Sequence, residues 1–321
     1  MQYVVLGAGA VGGVVAARLF EAGHNVVAVA RGAHREAMVN RGLELRSPAG
    51  STVVRLPVAA DPQSVAWAGD SVVLLAVKSQ QTAAALGALR NAVSRTTPIV
   101  CVQNGVANEG LSARSFASVY GVSVMCPTLH LEPGVVEASS SPTTGILDIG
   151  RYPSGRDAMA DTIAGAFNAA TFESVVRDDI MRWKWSKLVT NLGNIIEAAC
   201  GPAGRRGQFA AMVRAEGEAC LRAADIDFAS AEEDAARRGD ILHVSPVSGR
   251  PRPGGSTWQS FARGNGDVET DYLNGEVVRL GAAHGVATPA NALLCALAVE
   301  MAANLTPPGR YDVADLLARL A

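Results

Sequence analysis

Residues 4–20 read VVLGAGAVGGVVAARLF, and this stretch decides the first half of the fold. An apolar run ends in three glycines, Gly7, Gly9 and Gly12, and an apolar helix-forming stretch follows. In a dinucleotide-binding βαβ unit each glycine has its own task. Gly7 permits the tight turn, Gly9 removes a side chain where a pyrophosphate approaches, and Gly12 lets helix and strand pack closely. Ala10 and Val11 open the helix, whose first N–H groups and dipole then face the anion. The motif ends a first strand and begins a helix, the context it needs. Gly7, Gly9, Ala10, Val11 and Gly12 are therefore the expected cofactor cradle; the competing reading is a turn that serves packing alone.

The next strand carries the second cue. An NAD site places an acid about 20 residues beyond the glycines to hold the ribose 2′-hydroxyl. Here residues 26–35 read VVAVARGAHR, with Arg31 at that position and no carboxylate beside it. A guanidinium grips a 2′-phosphate by paired hydrogen bonds, whereas an acid would repel it. The expected cofactor is NADP(H); the alternative is that Arg31 is a solvated loop residue.

Strand candidates at 2–7, 25–30, 71–77, 98–102 and 119–125 alternate with helical stretches at 11–22, 33–41, 80–93 and 106–113. That alternation predicts parallel strands joined by crossover helices. An inserted hairpin is expected at 43–58, and antiparallel strands in EPGVVEASS and GILDIG should finish the sheet. A helix near 156–168 and a strand at 172–176 close this half. One long helix is predicted from about 178 to 199, then helices at 207–224, 230–239, 267–284 and 289–304, with a Pro/Gly-rich loop at 245–256. The fold class is thus α/β: a Rossmann-type dinucleotide-binding domain over 1–177, then an all-helical domain over 178–321.

Composition narrows the function classes. Of 321 residues, 49% are hydrophobic and 18% charged, with a formal net charge of −2, which gives no reason to expect nucleic acid or an acidic membrane as partner. No apolar run reaches the length of a membrane span, and no signal-peptide pattern follows Met1, so a cytoplasmic setting is expected. The five cysteines and five histidines are dispersed, which argues against a metal site or a disulfide framework. Apolar helices in the second half could support a homodimer or simply their own core. Of 28 cationic residues only Lys78, Lys184 and Lys187 are lysine. Coding bias explains most of this, yet an ammonium, unlike a guanidinium, can release its proton when its surroundings push it.

Lys187 lies in WKWSKLVTNLGN, residues 183–194. On one continuous helix Lys187, Asn191 and Asn194 fall along a single stripe. Such a stripe either faces solvent or lines a site.

Taken together, GAGAVG at 7–12, Arg31, VK at 77–78, QNG at 103–105, WSKLVTN at 185–191 and VETDYLNGEVV at 268–278 resemble the ketopantoate reductases (2-dehydropantoate 2-reductases) in type and order, over essentially the whole chain. The resemblance implies a Rossmann-type domain, a helical domain of the 6-phosphogluconate dehydrogenase-like kind, and NADPH-dependent reduction of a small 2-keto acid in the cleft between them. It implies Lys187 as the catalytic lysine and Glu269 as the catalytic-site glutamate. Asn104 corresponds to the asparagine beside nicotinamide and substrate, Asn191 and Ser256 to substrate-binding positions, and Arg31 and Lys78 to cofactor contacts. Lys184 has no counterpart role and is expected at the surface. The two tryptophans, Trp183 and Trp185, would partly desolvate the amine of Lys187.

The departures lie on the substrate side. Family members commonly carry a second asparagine eight residues after the lysine. Here Ile195 holds that position and Asn194 precedes it, about 100° round a helix. Asn194 is retained as a candidate substrate contact. The spacing from Ser256 to Glu269 is one residue longer than usual, in an expected loop. Reduction of a 2-keto acid related to ketopantoate is the expectation. The alternatives are a 3-hydroxy-acid dehydrogenase of the 6-phosphogluconate type, an opine-type dehydrogenase, whose His–Asp pair is not evident, and an NADP-sensing protein without turnover.

Overall fold

A computed structural model of the chain describes residues 1–264, 266 and 268–320. Two compact units divide it: Met1–Lys184 with Ala231–Arg252, and Trp185–Ser230 with Pro253–Ala321.

The first unit contains β1 (Gln2–Leu6), α1 (Ala10–Glu21), β2 (Asn25–Val29), α2 (Gly32–Arg41), β3 (Leu43–Ser47), β4 (Gly50–Val54), β5 (Val58–Ala59), β6 (Ser71–Leu75), α3 (Thr82–Arg90), β7 (Ile99–Cys101), α4 (Asn108–Ala113) and β8 (Val119–Met125). It continues with β9 (Thr128–Leu129), β10 (Val135–Ala138), β11 (Gly145–Arg151), α5 (Ala158–Ala169) and β12 (Phe172–Glu173). Eight strands form the main sheet in the order β12-β11-β8-β7-β6-β1-β2-β5. The pairs β1·β2, β1·β6, β6·β7 and β7·β8 are parallel, and β11 runs antiparallel to β8. Chain order reverses at β1, between β2 and β6, which is where an open parallel sheet offers a ligand crevice at its carboxyl edge.

Period-two alternation explains the core. Tyr3, Val5, Ala28, Leu74 and Val100 point into one apolar cluster with α1 and α5, while Val4, Leu6, Val29, Leu75 and Ile99 point into another with Leu86 and Leu89 of α3. Both faces of the sheet are covered, so its strands are apolar throughout.

The expected hairpin is present as β3 and β4, but it does not stand alone. It joins β10 and β9 in a second sheet of order β4-β3-β10-β9. Of the two late segments, only GILDIG therefore finishes the main sheet; EPGVVEASS supplies β10, parallel to β3. The cause is packing over α1. Val136 and Ala138 of β10 bury in the same apolar cluster as Val14 and Ala17 of α1, at an approach so close that a Cβ at Gly13 would lie 2.7 Å from Val136 Cγ1.

The expected boundary at 177/178 also shifts. The division falls inside α6 (Ile180–Asn191), after Lys184, and residues 231–252 with α9 (Ala231–Arg238) belong to the first unit. The fully buried carboxylate of Asp148 explains this. It accepts from Arg237 at 2.8 and 2.7 Å, from Arg177 at 3.1 Å and from the Val175 N–H at 3.2 Å. A buried charge needs such partners, and one of them sits on α9. An isolated bridge from Ser140 to Val244 and the Arg250–Glu137 ion pair at 3.3 Å continue the attachment.

The second unit contains α7 (Asn194–Cys200), α8 (Gln208–Ala223), α10 (Ser256–Ala262), α11 (Asn274–His284), α12 (Pro289–Ala303) and α13 (Val313–Ala318). These close around Leu192, Ile196, Phe209, Val213, Leu294 and Met301. The single helix expected over 178–199 is broken at Leu192–Gly193 into α6 and α7. Glycine is a poor helix former, and the break releases the Leu192 carbonyl to accept the Asn274 side-chain amide at 3.0 Å. The stretch after Ser256, expected as loop, begins as α10. Asn265 and Asp267, within the lengthened Ser256–Glu269 spacing, lie outside the described residues.

Candidate active site

The glycine turn has the geometry its sequence demands. Gly7 sits at φ +103°, where a side chain would be strained, and its N–H donates to Val29 O at 3.1 Å. A Cβ at Gly12 would lie 2.1 Å from Gly7 O and 2.8 Å from Ala76 Cβ. A Cβ at Gly9 would meet nothing within 4 Å. The three glycines are thus distinguished: conformation at 7, open approach at 9, contact at 12. Gly9 is also the N-cap of α1, without a side-chain cap and without an acid in the first turn. The helix's first N–H groups, at Ala10 and Val11, therefore suit an anion that comes in over Gly9.

Arg31 is exposed at the N-cap position of α2, whose first turn has no acid. Nearby, His34 Nε2 donates to Ala8 O at 2.7 Å while Nδ1 accepts from the Gly134 N–H at 2.8 Å. The neutral ring thereby braces the turn. Burial pushes the His34 pKa below its ordinary 6.5, opposed by the bond to Ala8.

Two further loops lie at the carboxyl edge, after β6 and β7. Lys78 is half-buried at the N-cap of a 3₁₀ turn, Ser79–Gln81, and Asn104 is half-buried after β7. The structure ties these loops together. Gln103 Nε2 donates to Val77 O at 2.7 Å and to Thr82 Oγ1 at 2.9 Å; Asn108 Nδ2 donates to Asn104 O at 3.1 Å and to Ser79 Oγ at 3.2 Å. The 77–78 and 103–104 segments, read separately in the sequence, form one hydrogen-bonded cluster.

In the helical unit, Lys187 is half-buried on α6, with Asn191 one turn later on the same face. Asn191 is 6% and Asn194 7% exposed, so neither amide faces solvent. The stripe itself is corrected, because Asn194 begins α7 beyond the break. Ile195 is buried in the helical core. Glu269 is half-buried at the N-cap of the 3₁₀ turn Thr270–Tyr272, and Ser256 is exposed at the first position of α10. Behind Ser256, the Gly255 N–H donates to Glu197 Oε1 at 3.0 Å, and Arg205 holds Oε2 at 3.0 Å.

One sequence expectation changes. Lys184 is not at the surface: it is 2% exposed and ion-paired at 2.9 Å with Glu109, itself fully buried. One face of the Trp183 ring is covered by the Arg177 guanidinium, 4.1 Å from its centroid. Other chemistries find little support. Burial raises all five thiols, to about 12 at Cys126 and about 11 at Cys200 and Cys295, so none is poised as a thiolate. No cluster of His, Cys, Asp and Glu able to hold a metal occurs among the described residues. Among those residues no helix is long and apolar enough to cross a membrane.

Comparison with known proteins gives the family. The profile described as ketopantoate reductase PanE/ApbA matches residues 3–154, and that of its C-terminal domain matches residues 179–302. The chain belongs to the ketopantoate reductase PanE/ApbA family. It is 28% identical over 309 residues to 2-dehydropantoate 2-reductase of Pyrococcus horikoshii, covering 92% of this chain and 96% of that one. The crystal structure of a PanE/ApbA family ketopantoate reductase from Ralstonia eutropha superposes with TM-score 0.79 at 30% identity, covering 95% and 99%. A D-mandelate dehydrogenase solved with NADH and anilino(oxo)acetate has TM-score 0.78 and the same coverages, but at 20% identity it bears on the fold alone.

Proposed function

We propose that this protein reduces a 2-keto acid to the 2-hydroxy acid with NADPH, the substrate being ketopantoate (2-dehydropantoate) or a close analogue and the product pantoate or its counterpart. The observation that carries this is Lys187, a half-buried amine on α6 in a family match that spans both halves of the chain. The open approach at Gly9 and the N-terminus of α1 fit a pyrophosphate, and Arg31 is the group for a 2′-phosphate. Lys78 and Asn104 complete the cofactor contacts, and Asn104, Asn191, Asn194 and Ser256 those to substrate.

When bound, the nicotinamide supplies the hydride. The chain's own task is the proton. As negative charge develops on the keto oxygen, the Lys187 ammonium stabilises it and then delivers a proton, leaving a neutral amine. Arginine could do the first but is too weak an acid for the second. The Glu269 carboxylate favours the charged amine and orients it. The amides of Asn191 and Asn194 hold substrate oxygens without competing for the proton.

The test is NADPH consumption with ketopantoate beside smaller and bulkier 2-keto acids. Turnover with one of them supports the reading. NADPH binding without consumption of any would replace it with a sensor, and NADP⁺ reduction by 3-hydroxy acids alone would favour the 6-phosphogluconate type.

A further inference from the structure

We propose that the buried Lys184–Glu109 pair is a clamp that positions the Asn104 loop, making both positioning residues for the reduction. This rests on reading Asn104 as the residue beside nicotinamide and substrate.

The ammonium of Lys184 donates to Gln103 O at 2.7 Å and Val122 O at 3.1 Å and is ion-paired with Glu109, whose Oε1 lies 2.9 Å away. The partners are specific. Strand β7 pairs with β8 only as far as Cys101↔Gly121, so the Val122 carbonyl lies just past the end of that ladder. Gln103 O lies one residue before Asn104, and Gly105, one residue after, turns through φ +79°. The Gln103 side chain is meanwhile bonded to Val77 O and Thr82 Oγ1. Residue 103 is therefore held at both ends, by the Lys78 loop through its amide and by Lys184 through its carbonyl.

The surrounding sheet accommodates the pair. A Cβ at Gly121 would stand 3.2 Å from Lys184 Cδ and 3.4 Å from Glu109 Oε1, so a glycine in the middle of β8 leaves it room. Stability does not account for such a pair, because apolar replacements of similar volume are often neutral or stabilising. What apolar residues cannot supply is a donor for the Gln103 carbonyl.

The experiment uses the full-length double variant Lys184→Met/Glu109→Leu, which removes both charges and so avoids an orphaned one. Amide hydrogen exchange is followed by mass spectrometry, along with kcat and KM for ketopantoate and the affinity for adenosine 2′,5′-bisphosphate. The expected result is faster exchange confined to 102–107, unchanged protection in α1 and unchanged bisphosphate affinity. Turnover should fall by roughly 10- to 100-fold, as for a reacting group displaced by about 1 Å. Unchanged exchange and kcat would overturn the clamp, and so would exchange accelerated uniformly across the sheet, which is plain destabilisation. If the wild type reduces no 2-keto acid, the proposed function fails, while the exchange measurement still decides the clamp.

Discussion

Arg31 determines cofactor choice in this account, because it stands where an NAD-binding chain would place an acid. A charge-assisted hydrogen bond contributes about 1.5–3 kcal/mol, so Arg31→Ala should raise KM for NADPH roughly 10- to 100-fold, at about 1.4 kcal/mol per tenfold. KM for NADH should stay nearly constant, and steady-state assays with both cofactors measure the contrast. Equal losses with both would mean that Arg31 does not read the phosphate. At His34 the expectation is a pH effect. Both ring nitrogens are engaged as a neutral imidazole, and burial lowers the pKa in the folded state. The folded form then binds fewer protons than the unfolded form, so stability is present above the unfolded pKa near 6.5 and declines as pH falls below it. Thermal melts should show Tm dropping on acidification through that window. His34→Gln should have a shallower dependence; an equal slope would place the titration elsewhere.

At the scale of elements, the βα turn at 6–12 makes a paired prediction. Gly12→Ala places a methyl 2.1 Å from Gly7 O, and backbone cannot yield as a flexible side chain can, so expression or Tm should collapse. Gly9→Ala meets no protein atom within 4 Å and should fold normally while losing NADPH affinity. Similar Tm losses for both would show a turn that only packs. The sequence announced this element well because its cause is local: three glycines at fixed spacing between a strand and a helix. The α6–α7 break was not announced. It depends on Asn274, 82 positions away, taking the Leu192 carbonyl. The second sheet was hidden for a similar reason, since nothing in EPGVVEASS reveals that its partner is β3 and not the main sheet. Among the proposed site residues, Lys187, Asn191 and Glu269 stand out by their resemblance to a family pattern. Lys184 was misplaced because burial of a lysine depends on an acid 75 residues earlier, and Glu109 carries no motif of its own in a single sequence.

Across the molecule, chain order and compact units disagree at 231–252, and Asp148 shows why. Its carboxylate gathers Arg177 from the chain just after β12 and Arg237 from α9. Removing one partner of a buried charge cluster costs about 3–5 kcal/mol, so Asp148→Asn should lower unfolding stability by that order in urea titrations. It should also make residues 239–255 more susceptible to limited proteolysis. An unchanged urea midpoint would mean that the segment is held by other contacts. The proposed cofactor cradle and proton donor together call for reduction of a carbonyl group, and one comparison measures that directly: NADPH oxidation with ketopantoate by the wild type and by Lys187→Ala, with NADPH affinity determined in parallel. Turnover by the wild type is expected, with a loss of about 100- to 10,000-fold in kcat for the variant at unchanged affinity, the range expected for a removed general acid. Near-wild-type turnover in Lys187→Ala would contradict it.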